Sequence, residues 1–121
     1  MKVLLIAAAG AGGAAARYGI SVAVGTRTFP WSTLAINLSG SFVLGLLAKL
    51  ALDRDWSAAV TLPATVGFLG AFTTFSTFSV ETHSLVRDGR AGAAAVYIGV
   101  SVVGGVLAAA AGYATALAAG T

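Results

Sequence analysis

Four stretches of this chain, residues 3–16, 28–48, 56–80 and 91–121, contain no charged side chain, and the first resumes as 18–26 beyond Arg17. A helix needs about 20 apolar residues to cross the hydrocarbon core of a bilayer. The spacing therefore predicts four spans, at about 3–25, 30–51, 60–84 and 93–117. The apolar runs are continuous rather than alternating, which argues against barrel strands. A soluble fold fails on composition: 9% of the 121 residues are charged, where soluble domains carry about a quarter. Mean hydropathy is +0.92, and a monomer this small buries only roughly two-thirds of its unfolded surface, so most of its Leu, Val and Phe would stay wet. The absence of Cys excludes a disulfide scaffold, and the hydrophobicity excludes disorder. The pI near 9.8 comes from scattered basic residues that form no stripe, so no nucleic-acid partner is expected. The reading is an all-α integral membrane protein, one four-helix domain over residues 1–121.

The predicted connections are short and polar: Gly25-Thr26-Arg27-Thr28, Asp53-Arg54-Asp55 and Arg87-Asp88-Gly89-Arg90. Pro30 suits a helix start, and Trp31 and Trp56 suit opposite membrane surfaces. The first span is too long, and too polar at Arg17, for a cleaved signal peptide. Lys2, Lys49 and Arg54 lie on one side; Arg27, Arg87 and Arg90 lie on the other. The positive-inside rule needs an imbalance and finds almost none. Insertion in both orientations, and with it an antiparallel homodimer, is one reading; a weak bias resolved to one orientation is the other. The small-xxx-small pairs Ser41/Gly45, Gly67/Ala71 and Ala108/Gly112 predict close helix packing in lipid.

Val3 to Ala15 imitates a strand followed by G-x-G-x-x-A, but the first acid is Asp53, far beyond the position a ribose would require. These glycines read as helix packing. His83 is the one His and has no metal or nucleophilic constellation around it. Glu81 is the acid nearest a helix interior, where an ionisable group marks a proton-coupled site. Its nearness to the helix end favours snorkelling to water or capping neighbours.

The third span is the informative one. Thr73, Thr74, Ser76, Thr77 and Ser79 put five hydroxyls within seven residues, just after Gly67 and Gly70. At 1.5 Å per residue, Thr73 falls about 18 Å beyond Thr61, near the midplane. The alternative is a continuous helix with back-bonded hydroxyls, but the density favours a third helix broken at mid-membrane, with backbone groups freed for ions. In an antiparallel pair the two-fold axis lies at that depth. Carbonyls of Gly70 and Thr73 from both chains would then meet at one point and suit Na⁺ or K⁺. Phe75 and Phe78 share a face, and their ring edges are positive. Asn37 carries a carboxamide donor into the second span. Tyr97 and Ser101 share a face of the fourth, and Arg17 must reach water or an anion.

The assembled motifs resemble the CrcB/Fluc family of fluoride channels. Gly13-Ala-Ala-Ala-Arg17-Tyr18 matches its first-helix G-A-x-x-R-Y, and Thr33-Leu-Ala-Ile-Asn37 with Gly40-Ser41-Phe42 matches T-L-x-V-N…G-S-F. The run from Gly67 to Glu81 matches the third-helix signature almost without gaps. The resemblance implies an antiparallel, dual-topology homodimer in a prokaryotic plasma membrane, with two fluoride pores and a central structural Na⁺ at the dimer interface. It assigns the Na⁺ carbonyls to Gly70 and Thr73, the pore-lining rings to Phe75 and Phe78, and a fluoride donor to Asn37. Ser76 and Thr77 would add hydroxyls, Tyr97 and Ser101 would continue a polar track, and Arg17 would sit at the vestibule. Ser32 and Leu69 depart from common family residues, and Gly105 falls where relatives often carry another hydroxyl. Transport would be passive and the chain no enzyme. The rival readings are a small multidrug-type proton-coupled antiporter, which would need a deep acid, and a holin-like subunit without selectivity.

Overall fold

A computed structural model describes residues 1–119 of the chain. Every element in them is helical: α1 (Lys2–Val24), α2 (Trp31–Asp53), α3 (Ala58–Leu62), a π-helical segment (Pro63–Leu69), α4 (Gly70–Phe72), α5 (Phe75–Arg87) and α6 (Ala91–Ala119). Four stretches are long and apolar enough to cross a membrane: Lys2–Val24, Trp31–Asp53, Ala58–Arg87 and Ala91–Ala119. The third is the composite of α3, the π-helical segment, α4 and α5.

The chain reverses direction at short, hydrogen-bonded corners. After α5, Gly89 adopts φ 77°. Its N–H donates to the Val86 carbonyl, while Arg90 N–H donates to that of Leu85, the paired bonds that close a helix C-terminus through a left-handed glycine. After α2 the same left-handed place is taken by Asp55 at φ 50°, a residue type that tolerates it, and Trp56 N–H donates to the Ala51 carbonyl.

Helices approach wherever glycine removes a side chain. A Cβ on Gly13 would overlap the Phe68 carbonyl, one on Gly45 the Ala109 carbonyl, and one on Gly112 the Phe42 carbonyl. On Gly67 it would stand 2.6 Å from the Ile6 carbonyl. In lipid, where burial of apolar surface gives no drive, such backbone proximity is what holds helices together. The glycines of the dinucleotide-like stretch therefore lie in an unbroken helix, α1, and pack it against the π-helical segment.

The third span changes partner along its length. Its π-helical and α4 parts lie on α1, whereas α5 lies on α6. Two small cores follow: Ile36, Leu69 and Phe72 in one, Leu34, Leu85, Ala94 and Tyr97 in the other. Pro63 opens the π-helical segment; it lacks an N–H and crowds the preceding turn. The widened register persists until Gly70 N–H reaches the Thr65 carbonyl. Nothing in the residue pattern alone specifies this π segment.

Candidate functional site

Helical geometry ends at Phe72 and resumes at Phe75. Between them Thr73 (φ −82°, ψ 157°) and Thr74 (φ −151°, ψ 123°) are extended. Thr74 caps α5, its Oγ1 accepting from Thr77 N–H at 3.2 Å. Both of its own backbone groups are taken by one side chain of α2: Thr74 N–H donates to Asn37 Oδ1 at 2.9 Å, and Asn37 Nδ2 donates to the Thr74 carbonyl at 3.0 Å. A carboxamide presents one acceptor and one donor side by side, which is what an extended peptide unit needs when no strand is beside it.

These bonds leave a signature on the carbonyls upstream. In an uninterrupted helix Thr74 N–H would serve the Gly70 carbonyl, and Thr77 N–H that of Thr73. Both donors are diverted, to Asn37 and to Thr74 Oγ1 respectively. The Ala71 carbonyl between them accepts from Arg17 Nε at 3.2 Å. Gly70 is exposed, with only the Thr65 carbonyl near its Cβ position, at 3.6 Å.

Beside the extended pair lies an open cavity of about 290 Å³. Asn37 and Ser41 line it from α2, Thr73 and Thr74 from the interruption, Phe75 and Phe78 from α5, and Ser101 from α6. The two phenyl rings are 5.8 Å apart between centroids. Phe75 is 78% exposed in the single chain. Ser101 Oγ is buried and has no hydrogen-bond partner among the described residues. Asn37 keeps a second Nδ2 hydrogen, since one suffices for Thr74.

α2 and α6 run in the same direction with a fixed register, and their facing residues form rungs. Thr33 and Tyr97 make the first, Asn37 and Ser101 the second, Ser41 and Gly105 the third, and Gly45 meets Ala109 below them. At the first rung both hydroxyls converge on one acid. Thr33 Oγ1 donates to Glu81 Oε2 at 3.1 Å, and Tyr97 Oη donates to Glu81 Oε1 at 2.9 Å. Glu81, whose nearness to its helix end favours snorkelling to water or capping neighbours, lines the open pocket beside residues 25–32 and also ties α2, α5 and α6 together. Two hydroxyl donors from neighbouring helices offset the cost of its partial burial.

The structure thus gathers Asn37, Thr73, Phe75, Phe78 and Ser101 around one cavity. Tyr97 is fully buried; its ring rests 5.0 Å from that of Phe78, and its hydroxyl turns to Glu81. Ser76 is exposed on α5, and Thr77 commits its N–H to the cap. Arg17 lies against the end of α4. Ser41 joins the cavity lining, and Thr33 and Glu81 border it through Tyr97. The one-turn series Thr33, Asn37, Ser41 and Tyr97, Ser101, Gly105 are present in the sequence, but only the fold sets one against the other. No cluster of three His, Cys, Asp or Glu side chains exists among the described residues.

Residues 4–113 match the family described as CrcB-like protein, Camphor Resistance (CrcB). Among curated relatives, a protein of Chlorobaculum tepidum named Fluoride-specific ion channel FluC is 46% identical over 86% of this chain and 85% of its own. Fluoride-specific ion channel FluC 2 of Geobacillus kaustophilus is 44% identical over 96% and 93%, and a namesake in Magnetococcus marinus is 50% identical over 74% and 76%. These relatives are channels rather than enzymes, and four apolar helices with bacterial kin make this a multi-pass protein of a prokaryotic plasma membrane. The match over residues 4–113 runs through all four spans and across every residue of the cavity, and on that ground the chain belongs to the CrcB family.

Proposed function

We propose that the chain is a passive, selective fluoride channel that exports cytoplasmic fluoride. The observation that carries this reading is the cavity at the interruption: N–H and O–H donors and phenyl rings line it, and no carboxylate does. Fluoride is small and strongly hydrated, so a dry passage must replace its water with several donors. The free hydrogen of Asn37, the unpartnered Ser101 hydroxyl and the ring edges of Phe75 and Phe78 are donors of that kind. Ser76 and Thr77 add hydroxyls beside the path, and Tyr97 borders it. Arg17, close to the interruption, raises the local anion concentration. The names of relatives at 44–50% identity support the same ion.

The functional unit in this reading is an antiparallel, dual-topology homodimer with two pores, and the interruption lies at mid-membrane. Balanced loop charges support both insertions, and an exposed Phe75 beside an open cavity supports a second copy as its cover. At the two-fold axis the Gly70 and Thr73 carbonyls of both chains would hold a structural Na⁺. Their diverted helical donors leave lone pairs free, the hard oxygen ligands such a cation takes. When bound, it supplies fixed positive charge that offsets the cost of phenyl rings around an anion. No nucleotide or proton gradient is needed. An inside-negative potential drives anions out by about 2.3 kcal/mol per 100 mV, roughly fifty-fold in concentration.

The test is efflux from liposomes carrying the purified protein, read with a fluoride electrode beside a chloride electrode, the voltage clamped by a potassium ionophore. Fluoride should leave rapidly while chloride stays. Equal rates for the two halides would refute the selective channel and leave a holin-like lesion.

A further inference from the structure

Many Ser and Thr hydroxyls in this protein are spent on their own backbone. Ser21, Thr61, Thr65, Thr73, Ser79, Thr82 and Thr115 each donate to the carbonyl four residues back. This is the default for Ser and Thr in a membrane helix, because it satisfies the hydroxyl without a partner helix. Of the four hydroxyl residues lining the cavity beside Asn37, Thr73 follows that default and Thr74 caps α5. Ser41 and Ser101 do neither: Ser101 Oγ is buried without a partner, and Ser41 Oγ takes none of the hydrogen bonds found among the described residues.

Ser41 stands one turn below Asn37 on α2, as Gly105 stands one turn below Ser101 on α6. The two meet: a Cβ on Gly105 would lie 3.8 Å from Ser41 Oγ. The α6 line of hydroxyls thus ends at Ser101, and at the next rung the vacant place on α6 is bordered by a hydroxyl from α2. The geometry points to Ser41 as a further anion donor, replacing across the seam the hydroxyl that Gly105 lacks. Its ligand is a small, strongly hydrated anion of the fluoride class, handed between the Asn37–Ser101 rung and Ser41. This rests on the channel reading above.

The experiment is a cycle of three variants in the liposome assay, each first checked for a single symmetric elution peak in detergent. Ser41→Ala removes only the hydroxyl and should slow fluoride efflux roughly tenfold, the size of one hydrogen bond to a charged group. Gly105→Ser places a hydroxyl on the other side of the same gap and should leave the rate of the otherwise unchanged protein within about threefold. The double variant Ser41→Ala/Gly105→Ser should recover most of the lost rate, a rescue that a mere packing role of Ser41 would not produce. An unchanged rate in Ser41→Ala, or a slowed rate that Gly105→Ser fails to restore, overturns the proposal while the channel reading stands. An inactive parent protein overturns both at once and is recognised before any variant is made.

Discussion

Two rungs of the α2–α6 seam, one turn apart, handle their polar groups in opposite ways. At Thr33 and Tyr97 both hydroxyls end on Glu81 and every strong group there has a partner. At Asn37 and Ser101 the carboxamide spends two of its bonds on Thr74 and keeps one hydrogen, and the Ser101 hydroxyl spends none. Buried polar atoms without partners are rare in folded proteins, and each exception calls for a cause. The first rung is a lock that joins three helices, and the second holds donors in reserve for a ligand. The seam thus separates holding from binding within about 6 Å of helix rise.

The sharpest way to break that contrast is Asn37→Asp. The acid still accepts from Thr74 N–H but loses the donor to the Thr74 carbonyl, and it sets a fixed negative charge where an anion must pass. Repulsion in a medium of low dielectric and the lost donor act together, so fluoride efflux should fall by about 100-fold or more. Elution in detergent should stay normal, because the cap of α5 by Thr74 Oγ1 is untouched. A rate near that of the parent protein would remove Asn37 from the path and reduce it to a brace for the interruption.

At the lock, Glu81→Gln should do the reverse and spare transport while touching stability. A carboxamide oxygen still accepts from one of the two hydroxyls, while its NH₂ group can only donate, so the other hydroxyl must turn to accept. What is lost is the charge assistance of both bonds in a partly buried place, about 1–2 kcal/mol, readable as a lower melting temperature in detergent. Efflux per folded protein should stay within about threefold, with no dependence on a transmembrane pH gradient. Transport that collapses in this variant, and that in the parent protein follows the pH gradient, would return the proton-coupled antiporter to favour.

Much of this was legible in the residues, and the limits have physical causes. Charge-free runs mark four membrane-long helices because lipid tolerates no unpaired charge, a constraint written in composition alone. The hydroxyl-rich segment after Gly70 was visible too, as were Asn37, Phe75, Phe78 and Ser101, which the fold brings to one cavity. The register between α2 and α6 was not. It depends on which glycines cross which carbonyls, Gly45 on Ala109 and Gly112 on Phe42, and periodicity along one helix carries no phase relative to another. Without that register Tyr97 and Ser101 read as equivalent hydroxyls one turn apart, though one is bound to Glu81 and the other is free. For the same reason, distance from its helix end marks Glu81 as near a membrane surface but carries no sign of the donors it meets on two other helices. The π-helical segment escaped because Pro63 in a membrane helix is compatible with a kink, a break or a widened turn, and neighbours decide among them.

The smallest effect is the most discriminating for the distinction between spent and reserved hydroxyls. Thr82 lies on α5 one turn beyond Phe78, close in sequence to the proposed path, and its Oγ1 donates to the Phe78 carbonyl at 2.8 Å. That carbonyl also has the Thr82 backbone N–H, so Thr82→Ala leaves no group unpaired. Back-bonding contributes little or slightly bends a helix, and alanine is the better helix former by several tenths of a kcal/mol; the lost methyl contact offsets this. The net change in stability should fall within about 0.5 kcal/mol, and fluoride efflux should match that of the parent protein. Hydroxyl count near the rings would then be irrelevant and hydrogen-bond commitment decisive. Efflux slowed in Thr82→Ala as much as in Ser41→Ala would mean that back-bonded hydroxyls also turn toward the ion, and the separation drawn between the two rungs would fail.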